Sequence, residues 1–142
     1  MDPSRPSVKE AVVALRAGEK FWKIPPVRDA EERLRHVAKL VVEDHEKLDM
    51  DVWFGTRTGA REPDADFSKI AHTCGTTACV AGWAILLAGE DGKALLEAIQ
   101  EQDEPDAEEY AGRILLGEEA REHFFDADDE ALEYLQSVLE ES

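Results

Sequence analysis

With 142 residues, 43% of them apolar and 35% charged, the chain has the length and hydrophobicity to bury a sizeable core. Its net charge of −17 argues against a nucleic-acid-binding or anionic-membrane surface. Two cysteines are too few for a disulfide scaffold, and the first twenty residues lack the apolar run of a signal peptide, so a cytoplasmic location is expected.

Residues 1–7, with Pro3 and Pro6, are expected to form a loose terminus. Val8, Ala11, Val12 and Leu15 then recur at helical spacing, and Gly18 closes a short helix. Phe21-Trp22-Lys23-Ile24 leads into Pro25-Pro26, which forces an extended path. Asp29 followed by Glu32 fits an N-cap with an acid in the first turn. Leu34, Val37, Val41, His45 and Leu48 fall on one stripe beside Ala38, which predicts a long amphipathic helix over about 30–48. Asp49 to Gly55 reads as its exit, with Met50, Val52, Trp53 and Phe54 folding back onto it. Residues 55–75 carry Gly55, Gly59, Pro63 and Gly75 without a sustained period, and so form a loop.

That loop delivers the chain to Cys74-Gly75-Thr76-Thr77-Ala78-Cys79-Val80-Ala81-Gly82-Trp83, followed by Ala84 to Gly89. From Ala78 to Ala88 no side chain is charged or strongly polar, and a helix apolar all round belongs in the middle of a fold. About 16 Å of helix is far too short to cross a bilayer. Thr76 or Thr77 is expected to cap it, and Gly89 to end it in a left-handed turn. Glycine inside a helix costs about 1 kcal/mol relative to alanine. Gly82 shares a face with Ala78, Ala81 and Ile85, so another helix is expected to approach closely there, with Trp83 beside it in the core.

Glu90-Asp91-Gly92 reads as a turn. Ala94, Leu95, Ala98 and Ile99 mark a short helix ended by Gln102 to Asp106, and Ala107, Tyr110, Ala111, Ile114 and Leu115 mark the next, stopped by Gly117. Glu118 to Phe125 reads as a short helix with Phe124 and Phe125 facing inward. Asp128 or Asp129 caps a last helix striped by Ala131, Leu132, Leu135, Val138 and Leu139. The expected fold is all-α: a single domain over residues 1–142, with six or seven short helices around a buried one at about 78–88.

Cys74 stands just before a helix N-terminus, where free N–H groups and the dipole favour a thiolate, the placement of a nucleophile. A nucleophile needs a base, and His36, His45, His72 and His123 sit in no recognisable partner motif. His72, Cys74 and Cys79 give three soft ligands where structural zinc takes four, so no metal is expected. The residues from Asp126 to Glu130 lack the glycine and later glutamate of a calcium loop, and no glycine-rich phosphate loop is present. No cofactor is expected, and both cysteines read as small buried groups.

The charge is unevenly placed. Residues 1–89 hold 13 Lys/Arg and 14 Asp/Glu, whereas residues 90–142 hold 3 Lys/Arg and 19 Asp/Glu, a balance of −16. The apolar stripes of these helices are needed inward, so Glu97, Glu101, Glu108, Glu109, Glu118, Glu119, Glu122, Glu130 and Glu133 are expected to point outward. Carboxylates on rigid helices attract basic partners and imitate a nucleic-acid backbone; they also serve simply to keep a protein soluble.

The residues from Leu34 to Leu48, Asp49-Met50, the run Cys74 to Ala84, Leu115-Leu116-Gly117 and Phe124-Phe125 resemble a group of small proteins of actinobacteria, other bacteria and their phages. Their shared signature is close to Cys-Gly-Thr-x-x-Cys-x-Ala-Gly-Trp/His, and the likeness covers about residues 34–125. It implies a common fold and a phage or mobile-element setting, with no activity attached. The chain departs from the pattern at Glu118 and Glu119 and in its long loop before Cys74. The expected function is a non-enzymatic interaction protein that binds a basic host protein through its acidic helices, with no direct contact to nucleic acid or membrane. The alternatives are a cysteine-dependent hydrolase or transferase using Cys74, and a nucleic-acid mimic that inhibits a DNA- or RNA-binding protein.

Overall fold

The computed structural model describes residues 5–44, 47–50 and 78–140. Among them seven stretches close their backbone hydrogen bonds as α-helices and none forms a strand, so the all-α class expected from the sequence is the one adopted. The helices are α1 (Val8–Arg16), α2 (Ala30–Glu43), α3 (Val80–Leu87), α4 (Gly89–Gln100), α5 (Ala107–Leu116), α6 (Glu118–Arg121) and α7 (Asp128–Glu140), with a 3-10 turn at Phe21–Lys23. The loop at 55–75, its flank from Val52 to Phe54, and His45 lie outside the described residues.

Helix α3 has no polar face, and α2, α4 and α5 surround it. Val80, Ala81, Trp83, Ile85 and Leu86 are all buried. Helix α5 approaches α3 closely, and a Cβ added at Gly112 would meet the Ala81 Cβ at 2.7 Å and the Phe124 ring at 2.8 Å. The tight crossing anticipated on the Ala81 face therefore exists, and the glycine that permits it is on the facing helix. On the flanks, α4 packs on α1 and α7 packs on α2.

Several expectations are corrected. Helix α2 stops at Glu43 rather than about residue 48, and Asp44 is extended. Two acids at the negative end of the helix dipole, with no base in the last turn, oppose continuation. Leu48 instead pairs with Ala78 in an isolated parallel bridge. The Asp49 N–H donates to the Ala78 carbonyl and the Ala78 N–H to the Lys47 carbonyl, both at 3.1 Å. This bridge holds Ala78 extended, so α3 starts later than expected and is capped by Cys79, not by Thr76 or Thr77.

Gly89 takes the expected left-handed conformation at φ +62°, but no separate turn follows. Glu90, Asp91 and Gly92 form the first turn of α4, where acids suit the positive end of the dipole. Helix α6 ends at Arg121; Phe124 is buried, whereas Phe125 is 72% exposed and does not face the core. At the N-terminus, residues 5–7 are tied down rather than loose. Ser7 and Glu10 make a reciprocal capping box on α1, and the Arg5 guanidinium donates to the Pro26 and Val27 carbonyls at 3.0 and 2.6 Å. Asp29 precedes α2 as expected, but its carboxylate pairs with Arg33 at 3.2 Å instead of capping.

One side chain joins the segment before α2 to the α5–α6 region. Arg113, on α5, is only 4% exposed. Its Nη2 donates to the carbonyls of Phe21 at 3.0 Å and Ile24 at 2.5 Å, and its Nη1 to Glu118 at 2.8 Å. Beside it the Val27 N–H donates to the Ile114 carbonyl at 2.8 Å. Gln102 does similar work further along: its amide nitrogen donates to the Glu19 carbonyl at 2.8 Å, and its oxygen accepts from the Phe21 N–H at 3.2 Å. Buried polar groups are tolerable when paired in this way.

Candidate functional site

The sequence motif divides at the boundary of the described residues: Cys74, Gly75, Thr76, Thr77 and His72 lie outside them, and Cys79, Gly82 and Trp83 lie within. The Cys79 sulfur accepts a hydrogen bond from the Gly82 N–H at 3.3 Å, which satisfies one free donor of the first turn of α3. Two effects compete on this thiol. The Gly82 and Ala81 N–H groups favour the anion, but burial disfavours it more strongly and pushes the thiol up to about 12. Burial wins, and Cys79 is a free, protonated structural thiol. Trp83 is fully buried, and its indole N–H donates to the Lys47 carbonyl at 2.8 Å, tying α3 to the segment after α2.

A measurable pH dependence follows. A thiol raised from 9.0 to about 12 on folding ionises first in the unfolded chain, so its contribution to stability is complete below pH 9 and declines as pH rises toward 12. Unfolding free energies from urea titrations between about pH 9 and 11 should fall for the parent chain by about 1 kcal/mol per pH unit more than for Cys79→Ser, which keeps an acceptor but does not titrate there. Parallel slopes would show that Cys79 is not buried as described.

The nine glutamates expected outward are all exposed or half-buried. Glu97 is on α4 with Glu101 just after it, Glu108 and Glu109 in the first turn of α5, Glu118 and Glu119 on α6 with Glu122 just after it, and Glu130 and Glu133 on α7. Since α4 flanks α1 and α7 flanks α2, these carboxylates divide among those two sides and the α5–α6 corner. At the corner they are drawn together by cations. Arg121 lies 3.6 Å from Glu109 and 3.9 Å from Glu118, with its guanidinium 4.9 Å above the Tyr110 ring, and Arg113 also engages Glu118. Arg113 and Arg121 are thus occupied within residues 90–142, where 19 carboxylates stand against three cations.

Two other arrangements bear on chemistry. His123 holds the Asp126 carboxylate at 2.7 Å through Nδ1, and its ring stacks on Tyr134 with centroids 3.8 Å apart. A histidine so oriented resembles the base half of a nucleophile–base pair, but among the described residues no thiol or hydroxyl is hydrogen-bonded to it. Beside the start of α1 a groove gathers Lys9, Arg28 and Arg33 with Asp29, Glu32 and Asp91, a balanced set that offers a ligand no net charge. No three His, Cys, Asp or Glu side chains among the described residues are gathered as metal ligands, and no helix there is long and apolar enough to cross a membrane.

The buried Arg113 and the bifunctional Gln102 were not singled out from the sequence. Arg113 carries a readable signal, since it is a lone charge inside the apolar run Ala111 to Leu116. Gln102 carries none, being one polar residue in a polar turn. No protein-family model, no curated protein and no solved structure matches the chain, so its function must be argued from its own residues.

Proposed function

We propose that the chain is a non-enzymatic binding protein whose partner is a basic protein, recognised through the carboxylates of residues 90–142. One observation carries the reading. This segment holds a balance of −16, and every carboxylate of its described part is exposed or half-buried, on helices packed into the core and on the turns that join them. Surface charge of one sign on a rigid scaffold steers association and selects partners of the opposite sign. The phage or mobile-element setting implied by the resemblance fits a host protein as that partner, met in the cytoplasm.

The test uses capture from host lysate on the immobilised chain at about 50 mM salt, repeated at about 500 mM, where screening shrinks to a few ångströms. Capture is expected at low salt and release at high salt. Reversal of Glu97, Glu101, Glu130 and Glu133 to lysine should abolish capture while leaving the melting temperature within a few degrees, because all four are exposed. Capture that survives both treatments would overturn the acidic-docking reading.

A further inference from the structure

The α5–α6 corner forms one wall of a cleft of about 420 Å³, within the range of clefts that hold ligands. Leu116 and Gly117 line this wall, Pro25 and Pro26 line the facing one, and Leu34 of α2 contributes to the floor. The chain is built to hold these walls at a fixed separation. Arg113 and the Val27–Ile114 hydrogen bond join α5 to the residues on either side of the two prolines. Arg5 clamps the Pro26 and Val27 carbonyls from outside, and Gly117 turns the corner at φ +103°, a conformation that favours glycine. A cleft with fixed walls takes a ligand with little ordering cost.

The rim of the cleft is acidic. Glu31, Glu118 and Glu119 line it against the single guanidinium of Arg5. That guanidinium is already engaged by two carbonyls and by Glu31 at 3.1 Å. Glu118 is shared by Arg113 and Arg121, whereas among the described residues Glu119 is exposed and makes no ion pair. An apolar floor of proline and leucine beneath a net negative rim complements a segment with an apolar side chain flanked by cations. An anionic or purely polar segment is disfavoured by the same geometry.

We propose that this cleft is the docking site for a short extended segment of the partner protein, in which an aliphatic or aromatic residue seats against Pro26, Leu34 and Leu116 while neighbouring lysine or arginine side chains engage Glu119 and Glu118. The proposal rests on the acidic-docking reading and sharpens it. General charge attraction brings the partner to this half of the molecule, and the cleft selects its sequence.

The experiment starts from a phage-displayed library of random peptides of about 12 residues, long enough to cross the cleft in extended form, selected on the full chain. Enrichment of an apolar residue next to Lys or Arg is expected. The leading peptide is then titrated by fluorescence anisotropy against the parent chain, Glu119→Lys, Leu34→Ser and Glu97→Lys. The two cleft variants should weaken binding by about tenfold or more, and Glu97→Lys, which on α4 removes only general charge attraction, by about twofold to threefold. Because Glu119 is exposed, Glu119→Lys is expected to fold normally and keeps the test decisive if Leu34→Ser is destabilised. Equal losses from Glu119→Lys and Glu97→Lys with none from Leu34→Ser would overturn the cleft and leave the acidic-docking reading intact. Enriched peptides without basic residues, or none at all, would overturn the cleft as well. So would self-association in sedimentation that Glu119→Lys abolishes, because the occupant would then be a second copy of the chain.

Discussion

Trp83→Ala is expected to destabilise the protein by about 4–6 kcal/mol. Truncating a fully buried tryptophan leaves a cavity that costs about 3–5 kcal/mol where the surroundings cannot collapse. Here they cannot collapse easily, because α2, α4 and α5 all pack against α3. The indole N–H is also lost from the Lys47 carbonyl. That carbonyl keeps its second donor, the Ala78 N–H, so this loss adds only about 1 kcal/mol. Set against the 5–15 kcal/mol typical of a folded domain, the sum is a large fraction of the total. By thermal unfolding followed by circular dichroism, the variant should melt about 10–20 °C below the parent, or be unfolded at room temperature. Trp83→Phe, which keeps most of the volume, should lie between. A Trp83→Ala variant that melts within a degree or two of the parent would show that α3 is not the packed centre.

The second large effect should run against helix propensity. Gly92 lies in the first turns of α4, where alanine would ordinarily be better than glycine by about 1 kcal/mol. The fold reverses the sign. A Cβ at this position would stand 2.2 Å from the Ile85 carbonyl oxygen and 2.8 Å from the Ala88 Cβ, and neither can swing aside as a flexible side chain would. The end of α3 must shift, and overpacking of this kind costs about 1–3 kcal/mol, at times more. Gly92→Ala is expected at or above the upper end, read as a lower urea midpoint with an unchanged denaturant slope. A stabilised Gly92→Ala would mean that α3 and α4 do not meet this closely.

These two residues also show what was legible in the chain. The place of α3 was readable because eleven consecutive residues without a charge have nowhere else to go, and Trp83 is buried where that argument puts it. Gly92 was read as part of a turn because glycine and acids cluster there, and glycine alone does not distinguish a bend from a tight crossing. The end of α2 was misplaced because Leu48 extends the apolar spacing past Glu43, although its burial comes from the bridge to Ala78. Phe124 and Phe125 are equally apolar, and only the end of α6 at Arg121 decides which of them points inward. Thr76 and Thr77 are better caps by type than Cys79, but the bridge fixes where the helix starts. For the candidate surface, the sign and location of the charge were plain in the sequence. The cleft was not, because its two walls come from Pro25–Pro26 and Leu116–Gly117, far apart along the chain and joined by an arginine that gave no periodic signal.

The span of those links sets an order of events during synthesis. The hydrogen bonds that anchor the start of the chain reach residues 81 to 92 positions ahead: Phe21 to Gln102, Glu19 to Gln102, Ile24 to Arg113 and Phe21 to Arg113. A ribosome that has not yet passed Gln102 has produced α1 and the Pro25-Pro26 segment without any of these partners. Contacts so distant in sequence form only after a large loop has closed, which slows folding relative to local helix pairing. The N-terminal segment therefore docks late, onto a framework of later helices, and the cleft beside Pro25 and Pro26 exists only once that docking has occurred.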